Sequence, residues 1–289
     1  MNALDKWCFN YEFHKKLEEV VAREYGIKPT FSDLISWGYT TNAYFIETKN
    51  KTKRYVARLT KYSPAKIKET ERDLFMTKYL ADSIPIPKLF ENKRGELITF
   101  IKKETDKQGV LLMENAMMRL SEYIEAVPPF DMTDDIYKQV LVMLKKVHSH
   151  TIPDYEFSVI NEPKVGKKEY KLLHGDLTPS NVLVAHGKVI VIGDFDESCI
   201  GPVEWDLAKT LVFSWFRMKE RKFTDVFELT KEVYRENLLP DLILEYSKNH
   251  IEYRLDNINR HKTSYEKPHE WEADYNFTNS KLEELPRNL

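Results

Sequence analysis

Residues 172–198, LLHGDLTPSNVLVAHGKVIVIGDFDES, constrain the chain more than any other stretch. The runs NVLVA and KVIVIG are β-branched, and the His186-Gly187 step between them is a turn signal, so they read as a two-stranded hairpin. Strands that only packed on a core would not need what flanks them: His174, Gly175, Asp176 and Asn181 on the way in, Asp194 and Asp196 on the way out. Antiparallel pairing puts Asn181 and Asp194 at the same end of the hairpin, with Asp176 on the loop leading in. An amide and two carboxylates at one edge suit Mg²⁺ shared with phosphate oxygens, because that cation takes hard oxygen ligands and keeps several waters. Two of these three groups then hold the metal, and the third is left to act as a base. The plainer reading is a polar-edged hairpin closed by Asx turns.

The remaining pattern places this hairpin among helices. LEEVVAREYG has helical spacing and ends at Gly26. The period then changes: AYFIET, YVARLT, LITFIKK and VLLMEN are short β-branched or aromatic runs between turn clusters such as KNKTK and NKRG, and predict antiparallel strands. One helix interrupts them over SPAKIKETERDLFMTKYLADS, capped by Ser63 with Pro64 in its first position. From about Ser121 the character is helical. DDIYKQVLVMLKKVHSH sets Ile136, Val140, Leu144 and Val147 on one stripe, and three more helical segments follow the hairpin, the last starting at Pro240. The expected class is α+β in two lobes: a small antiparallel-sheet lobe over 1–114 with a single helix set into it, and a larger, mainly helical lobe over 115–289. Their junction falls near LLMENAM.

Composition excludes several function classes. The 289 residues are long enough to bury a sizeable core, and a net charge of −2 offers no basic surface for nucleic acid. No apolar run approaches the roughly 20 residues that span a bilayer, and the N-terminal residues lack the build of a signal peptide, so a cytoplasmic location without a membrane partner is expected. Cys8 and Cys199 are far apart and have no metal-ligand spacing, which fits buried thiols in a reducing compartment. His174 and His186 have no third ligand nearby for zinc.

HGDLTPSNVLV followed by IGDFDE resembles the catalytic and metal loops of the aminoglycoside phosphotransferase and choline kinase-like family, which has the protein-kinase-like fold. The resemblance extends in order over roughly residues 30 to 215. SWGYTTNAYFIET is similar to the family's phosphate-covering loop, YVARLT to the strand with the phosphate-binding cation, IPIPKLF to the start of the next strand, LLMENA to the hinge, and GPVEWDLAK to the segment after the metal loop. It implies that Asp176 is the base, that Asn181 and Asp194 bind Mg²⁺, that His174 holds the loop by hydrogen bonds, and that Asp206 anchors the loop from the following helix. It also implies that Arg58, Gly38, Thr41 and Asn42 meet the phosphates of ATP or GTP, and that Met113, Glu114, Asn115 and Ala116 meet its base.

Two positions depart from the family pattern. Arg58 stands where a lysine is usual, and an arginine can fork onto two phosphate oxygens instead. The phosphate loop has Gly38 without paired glycines. On the interrupting helix Glu69, Glu71 and Asp73 compete to partner Arg58. Ile67, Leu74, Phe75 and Tyr79 define an apolar arc centred on Glu71, which makes Glu71 the expected partner.

Only twelve positions separate Asp194 from Asp206, too few for the long peptide-docking segment of a protein kinase. The resemblance therefore implies a kinase that phosphorylates a hydroxyl of a small acceptor such as an aminoglycoside or an amino alcohol. A nucleotide-binding scaffold without turnover is the alternative. EWEADYNF sets Trp271 and Tyr275 among carboxylates, either to receive a cationic amine or as a solvated helix face with packed aromatics.

Overall fold

The computed structural model describes residues 11–37, 41–49, 53–105, 111–113, 115–165, 170–235, 238–262 and 268–289. The chain forms two compact units, Met1–Leu74 with Pro87–Glu125 and Phe75–Ile86 with Ala126–Leu289.

The first unit opens with helix α1 (Tyr11–Tyr25), whose Phe13, Leu17, Val20 and Val21 are buried. Gly26 ends it at φ +70°, the left-handed region where a residue with a Cβ would be strained, and its N–H donates to the Ala22 carbonyl at 3.1 Å. Strands β1 (Pro29–Trp37), β2 (Thr41–Thr48) and β3 (Arg54–Lys61) follow. Next comes helix α2 (Pro64–Leu80), which belongs to this unit through Leu74 and to the second from Phe75; Ser63 Oγ accepts from the Lys66 N–H at 3.2 Å, as a capping serine should. Strands β4 (Leu89–Phe90), β5 (Thr99–Ile101), β6 (Glu104–Thr105), β7 (Leu111–Met113) and β8 (Ala116–Glu122) complete the unit.

Six of these strands make one antiparallel sheet in the order β1-β2-β3-β8-β4, with β5 also on β8. Tyr44, Ile46, Ala57, Leu59, Met118 and Leu120 pack with the apolar face of α1. Strand β8 carries the difference from the sequence reading. It lies inside the sheet directly after LLMENA, so the first unit continues beyond residue 114, through Glu125, before the chain passes to the second.

In the second unit, helix α3 (Asp134–Ser149) is capped by Thr133, and its Ile136, Val140, Leu144 and Val147 are buried as the stripe predicts. Strands β9 (Ser158–Val159) and β10 (Tyr170–Leu173), with β13 (Cys199–Pro202), form a small sheet in the order β10-β13-β9. The hairpin of β11 (Val182–Ala185) and β12 (Lys188–Ile192) lies between β10 and β13 in sequence. It turns at His186 and Gly187, both at positive φ, the conformation that two-residue hairpin turns demand. Helices α4 (Val203–Trp215), α5 (Phe223–Tyr234), α6 (Pro240–Arg260) and α7 (Pro268–Glu283) complete the unit, with α4 packed on α6 and α6 on α7. Its core joins α3, the hairpin and α4 to α6 through Leu144, Ile192, Phe195, Leu211, Trp215 and Ile243. No helix among the described residues is long and apolar enough to cross a membrane.

Candidate active site

Strand β10 delivers His174, Gly175 and Asp176 to its end, and a single 3₁₀ turn, Pro179–Asn181, carries the chain into β11. That turn sets Asn181 back against Asp176. Asn181 Nδ2 donates to the Asp176 carbonyl at 2.7 Å and to its Oδ2 at 2.9 Å. The donor end of the amide is thus spent on Asp176, and its oxygen is the end a cation would meet. The pairing of Val182 with Ile192 brings the exit of β12 beside Asn181, where the Gly193 N–H donates to the Asn181 carbonyl at 3.0 Å. Asp194 follows at φ 72°, an unusual conformation that aspartate tolerates better than most side chains. Among the described residues no group of three or more His, Cys, Asp or Glu could hold a metal alone, a zinc site included. An amide oxygen and one carboxylate fit Mg²⁺, which one or two protein carboxylates and substrate phosphates commonly hold.

Helix α4 fixes this loop one group at a time. Asp206 accepts the N–H groups of His174 at 2.8 Å and Gly175 at 3.1 Å. Lys209 Nζ donates to the Gly175 carbonyl at 2.9 Å and pairs with Asp176 Oδ1 at 2.8 Å. Thr210 Oγ1 donates to the Leu177 carbonyl at 2.9 Å. Positions i, i+3 and i+4 share one helix face, so a single turn of α4 reads four consecutive residues of the loop. The metal-loop side is joined to the same frame. Ser198 Oγ donates to the His174 carbonyl at 3.1 Å, and Lys209 also pairs with Glu197 at 2.8 Å. Gly175 lies at φ +87°, and a Cβ on it would collide with the Glu197 carbonyl.

Burial and charge act unevenly here. Burial pushes the Asp176 carboxyl above its ordinary range; the Lys209 ammonium opposes this, and Glu197 adds to it. Burial works against the Lys209 charge, yet the carboxylates of Asp176 and Glu197 together raise it. Asp206 is fully buried, and burial again opposes ionisation. Its hydrogen bond with His148, at 3.0 Å from Nε2, and the contacts to His174 overcome that and hold it low. His148 in turn meets the Tyr234 hydroxyl through Nδ1 at 2.9 Å, so it is a buried link between α3, α4 and α5. His174 is buried against Phe195 with Nδ1 accepting the Asp176 N–H at 3.3 Å, the loop-holding place expected of it.

In the first unit Arg58 faces Arg119 across β3 and β8. The carboxylate that α2 supplies there is Asp73, which is 3 % exposed and pairs with Arg119. Glu71 is exposed and is not that partner. The buried stripe of α2 is Thr70, Asp73, Leu74, Met76 and Leu80, so two polar residues occupy the face that an apolar arc cannot find. Ile67, Phe75 and Tyr79 are only partly buried.

Thr41 and Asn42 lie in β2, where the Thr41 hydroxyl meets that of Thr60 at 2.8 Å and Asn42 is buried. Gly38 and Glu114 lie outside the described residues. Met113 ends β7, and Ala116 is buried at the start of β8. Asn115 between them closes a turn: its side-chain oxygen accepts from the Lys103 N–H at 2.9 Å and its carbonyl from the Tyr62 N–H at 3.1 Å. The aromatic pair on α7 is also spoken for. Lys262 lies 3.8 Å over the Trp271 ring, Trp271 stacks on Tyr275, and Asp274 pairs with Arg254 at 2.7 Å, which favours the packed helix face over a seat for a cationic ligand.

Sequence reasoning missed Lys209 and Arg119. For Lys209 a signal existed, because a residue three positions after the anchoring Asp206 must face the same loop.

Residues 160–228 match the model of the phosphotransferase enzyme family. They contain Asp176, Asn181, Asp194 and all of α4, so the match falls on the loops described above. No curated protein matches the chain in sequence. Among solved structures, the chain is similar to a spectinomycin phosphotransferase in complex with ADP and spectinomycin, with a TM-score of 0.66 at 15% identity over 94% of this chain and 97% of that one. An amicoumacin kinase in complex with AMP-PNP and Ca²⁺ gives a TM-score of 0.69 at 15% identity over 99% and 97%. A microcompartment-associated aminopropanol kinase gives 0.67 at 14% identity over 93% and 95%. The fold is that of the aminoglycoside phosphotransferases and amino-alcohol kinases.

Proposed function

We propose that this chain is a kinase that moves the γ-phosphate of a nucleoside triphosphate, ATP or GTP, to a hydroxyl of a small molecule. The observation that carries the reading is the Asp176-Asn181 pair, a half-buried carboxylate with an amide turned onto it, together with the hairpin register that joins Gly193, the residue before Asp194, to the Asn181 backbone. Phosphoryl transfer asks a protein mainly for positioning and charge neutralisation, and the arrangement offers both. Asp176 accepts the proton of the acceptor hydroxyl as its oxygen bonds to the γ-phosphorus and the bond to the β-phosphate oxygen breaks. Asn181 and Asp194 would hold Mg²⁺, which neutralises phosphate charge when bound. Arg58, with Arg119 as its cross-strand neighbour, is the cation for the phosphates.

The relatives in structure act on spectinomycin, amicoumacin and aminopropanol by their names, and the acceptor class proposed here is the one these share, a small polar molecule with a hydroxyl. The test is ADP or GDP release with Mg²⁺ across spectinomycin, other aminoglycosides, macrolides, aminopropanol, ethanolamine and choline, for wild type and Asp176→Asn in parallel. Release that requires one acceptor and Asp176 supports the kinase. Normal turnover by Asp176→Asn removes the assignment of the base. Mg²⁺-dependent nucleotide binding with no release on any acceptor favours a nucleotide-binding scaffold.

A further inference from the structure

We infer that Lys209 is a positioning residue for the reaction, aiming the Asp176 carboxylate by a direct ion pair from α4. This rests on the reading of Asp176 as the proton acceptor. Lys209 Nζ has three donors and three partners, Asp176 Oδ1 at 2.8 Å, Gly175 O at 2.9 Å and Glu197 Oε2 at 2.8 Å. An ammonium carries three N–H groups, so this set uses all of them and leaves it no slack to rotate. Its side chain is 14% exposed, and its Nζ lies over the Trp205 ring, 5.5 Å from the centroid.

The two carboxylate oxygens of Asp176 are thereby distinguished. Oδ2 receives the Asn181 amide at 2.9 Å, and Oδ1 receives Lys209. With one donor on each oxygen, from opposite neighbours, the carboxylate plane is fixed, and each oxygen keeps a lone pair for an incoming hydroxyl. Without Lys209 the group would hang from the Asn181 contact alone and could turn about its Cβ–Cγ bond. A misplacement of about 1 Å in a positioned group can cost about 10²-fold in rate. Asp206 and Thr210 hold only the backbone of the loop, so they cannot replace this function.

The experiment compares wild type, Lys209→Met, Lys209→Arg and Asp176→Asn, with the best acceptor from the panel or, where none responds, with water as acceptor to MgATP. Lys209→Met is expected to lower kcat about 10²-fold while KM for MgATP stays within about twofold, and Lys209→Arg to recover part of the loss. A kcat for Lys209→Met near wild type, with Asp176→Asn inactive, overturns the inference and spares the base. A parallel loss of kcat and nucleotide affinity, unrelieved by arginine, makes Lys209 merely structural and overturns it too. Active Asp176→Asn instead removes the assignment of the base, and the inference that rests on it. A second measurement needs no turnover: the thermal midpoints of Asp176→Asn, Lys209→Met and the double variant. Non-additive shifts are expected of a direct pair, and additive shifts overturn the inference.

Discussion

Asp73 and Glu71 are two residues apart on the same helix and have opposite fates. Asp73 is buried and bonded to Arg119, while Glu71 is in solvent. Removing one partner of a buried ion pair leaves an uncompensated charge, so Asp73→Asn is expected to cost about 3–5 kcal/mol in urea unfolding, and Glu71→Gln to stay within about 0.5 kcal/mol. Equal effects would show that Asp73 is not the buried partner. A helical wheel picks Glu71 over Asp73, because it weights apolar residues, and here the buried face holds an aspartate whose cation is 46 positions away. The placement of Asp176, Asn181 and Asp194 around one hairpin was legible for the opposite reason: a local turn and the strand register set it. Gly175 belongs with them. Its positive φ and the Glu197 carbonyl in the space of a Cβ predict that Gly175→Ala lowers the thermal midpoint and removes turnover together.

At the scale of elements, most helices announced themselves and several strands, β1 and β8 among them, did not. In α3 the buried positions fall at helical spacing behind a threonine cap, so the segment declares both its type and its start. Thr133→Ala removes a side-chain acceptor for the Ile136 N–H, and the expected loss is about 1 kcal/mol by chemical denaturation; no loss would mean that α3 does not depend on its cap. Strand β8 is buried at six of its seven positions, and therefore shows none of the alternation by which a half-buried strand is found. Its absence from the pattern moved the expected end of the first lobe. In the segment expected to read the base, Asn115 holds Lys103 through its side-chain oxygen and Tyr62 through its carbonyl just before β8 begins.

For the molecule as a whole, folding stability should sense acid through Asp206. Although burial opposes its charge, contacts with His148 and His174 keep the folded carboxyl below its ordinary value. A carboxyl depressed in the folded state contributes stability that is fully present above its unfolded value of about 3.9 and is lost as the pH falls through the folded value. The stability gap between wild type and Asp206→Asn should therefore narrow below about pH 4, and a gap that does not change with pH would argue against an ionised Asp206. Nucleotide should act in the other direction. Saturation at about 100 times the dissociation constant adds about 2.7 kcal/mol, read as a rise in thermal midpoint with MgATP. Asp194→Ala should remove the Mg²⁺-dependent part of that rise, and Asp176→Asn should keep it.

The grip of α4 on the loop limits how this machinery can be transplanted. Its backbone and its acidic side chain are held from a helix that follows the hairpin in sequence, through Asp206, Lys209 and Thr210. A graft of residues 172–198 alone would carry the acid and the amide but leave behind what aims them. The smallest portable piece runs on through Thr210, and a single residue inserted in the first turn of α4, between Val203 and Asp206, would turn the rest of the helix by about 100° and aim three side chains at the wrong partners.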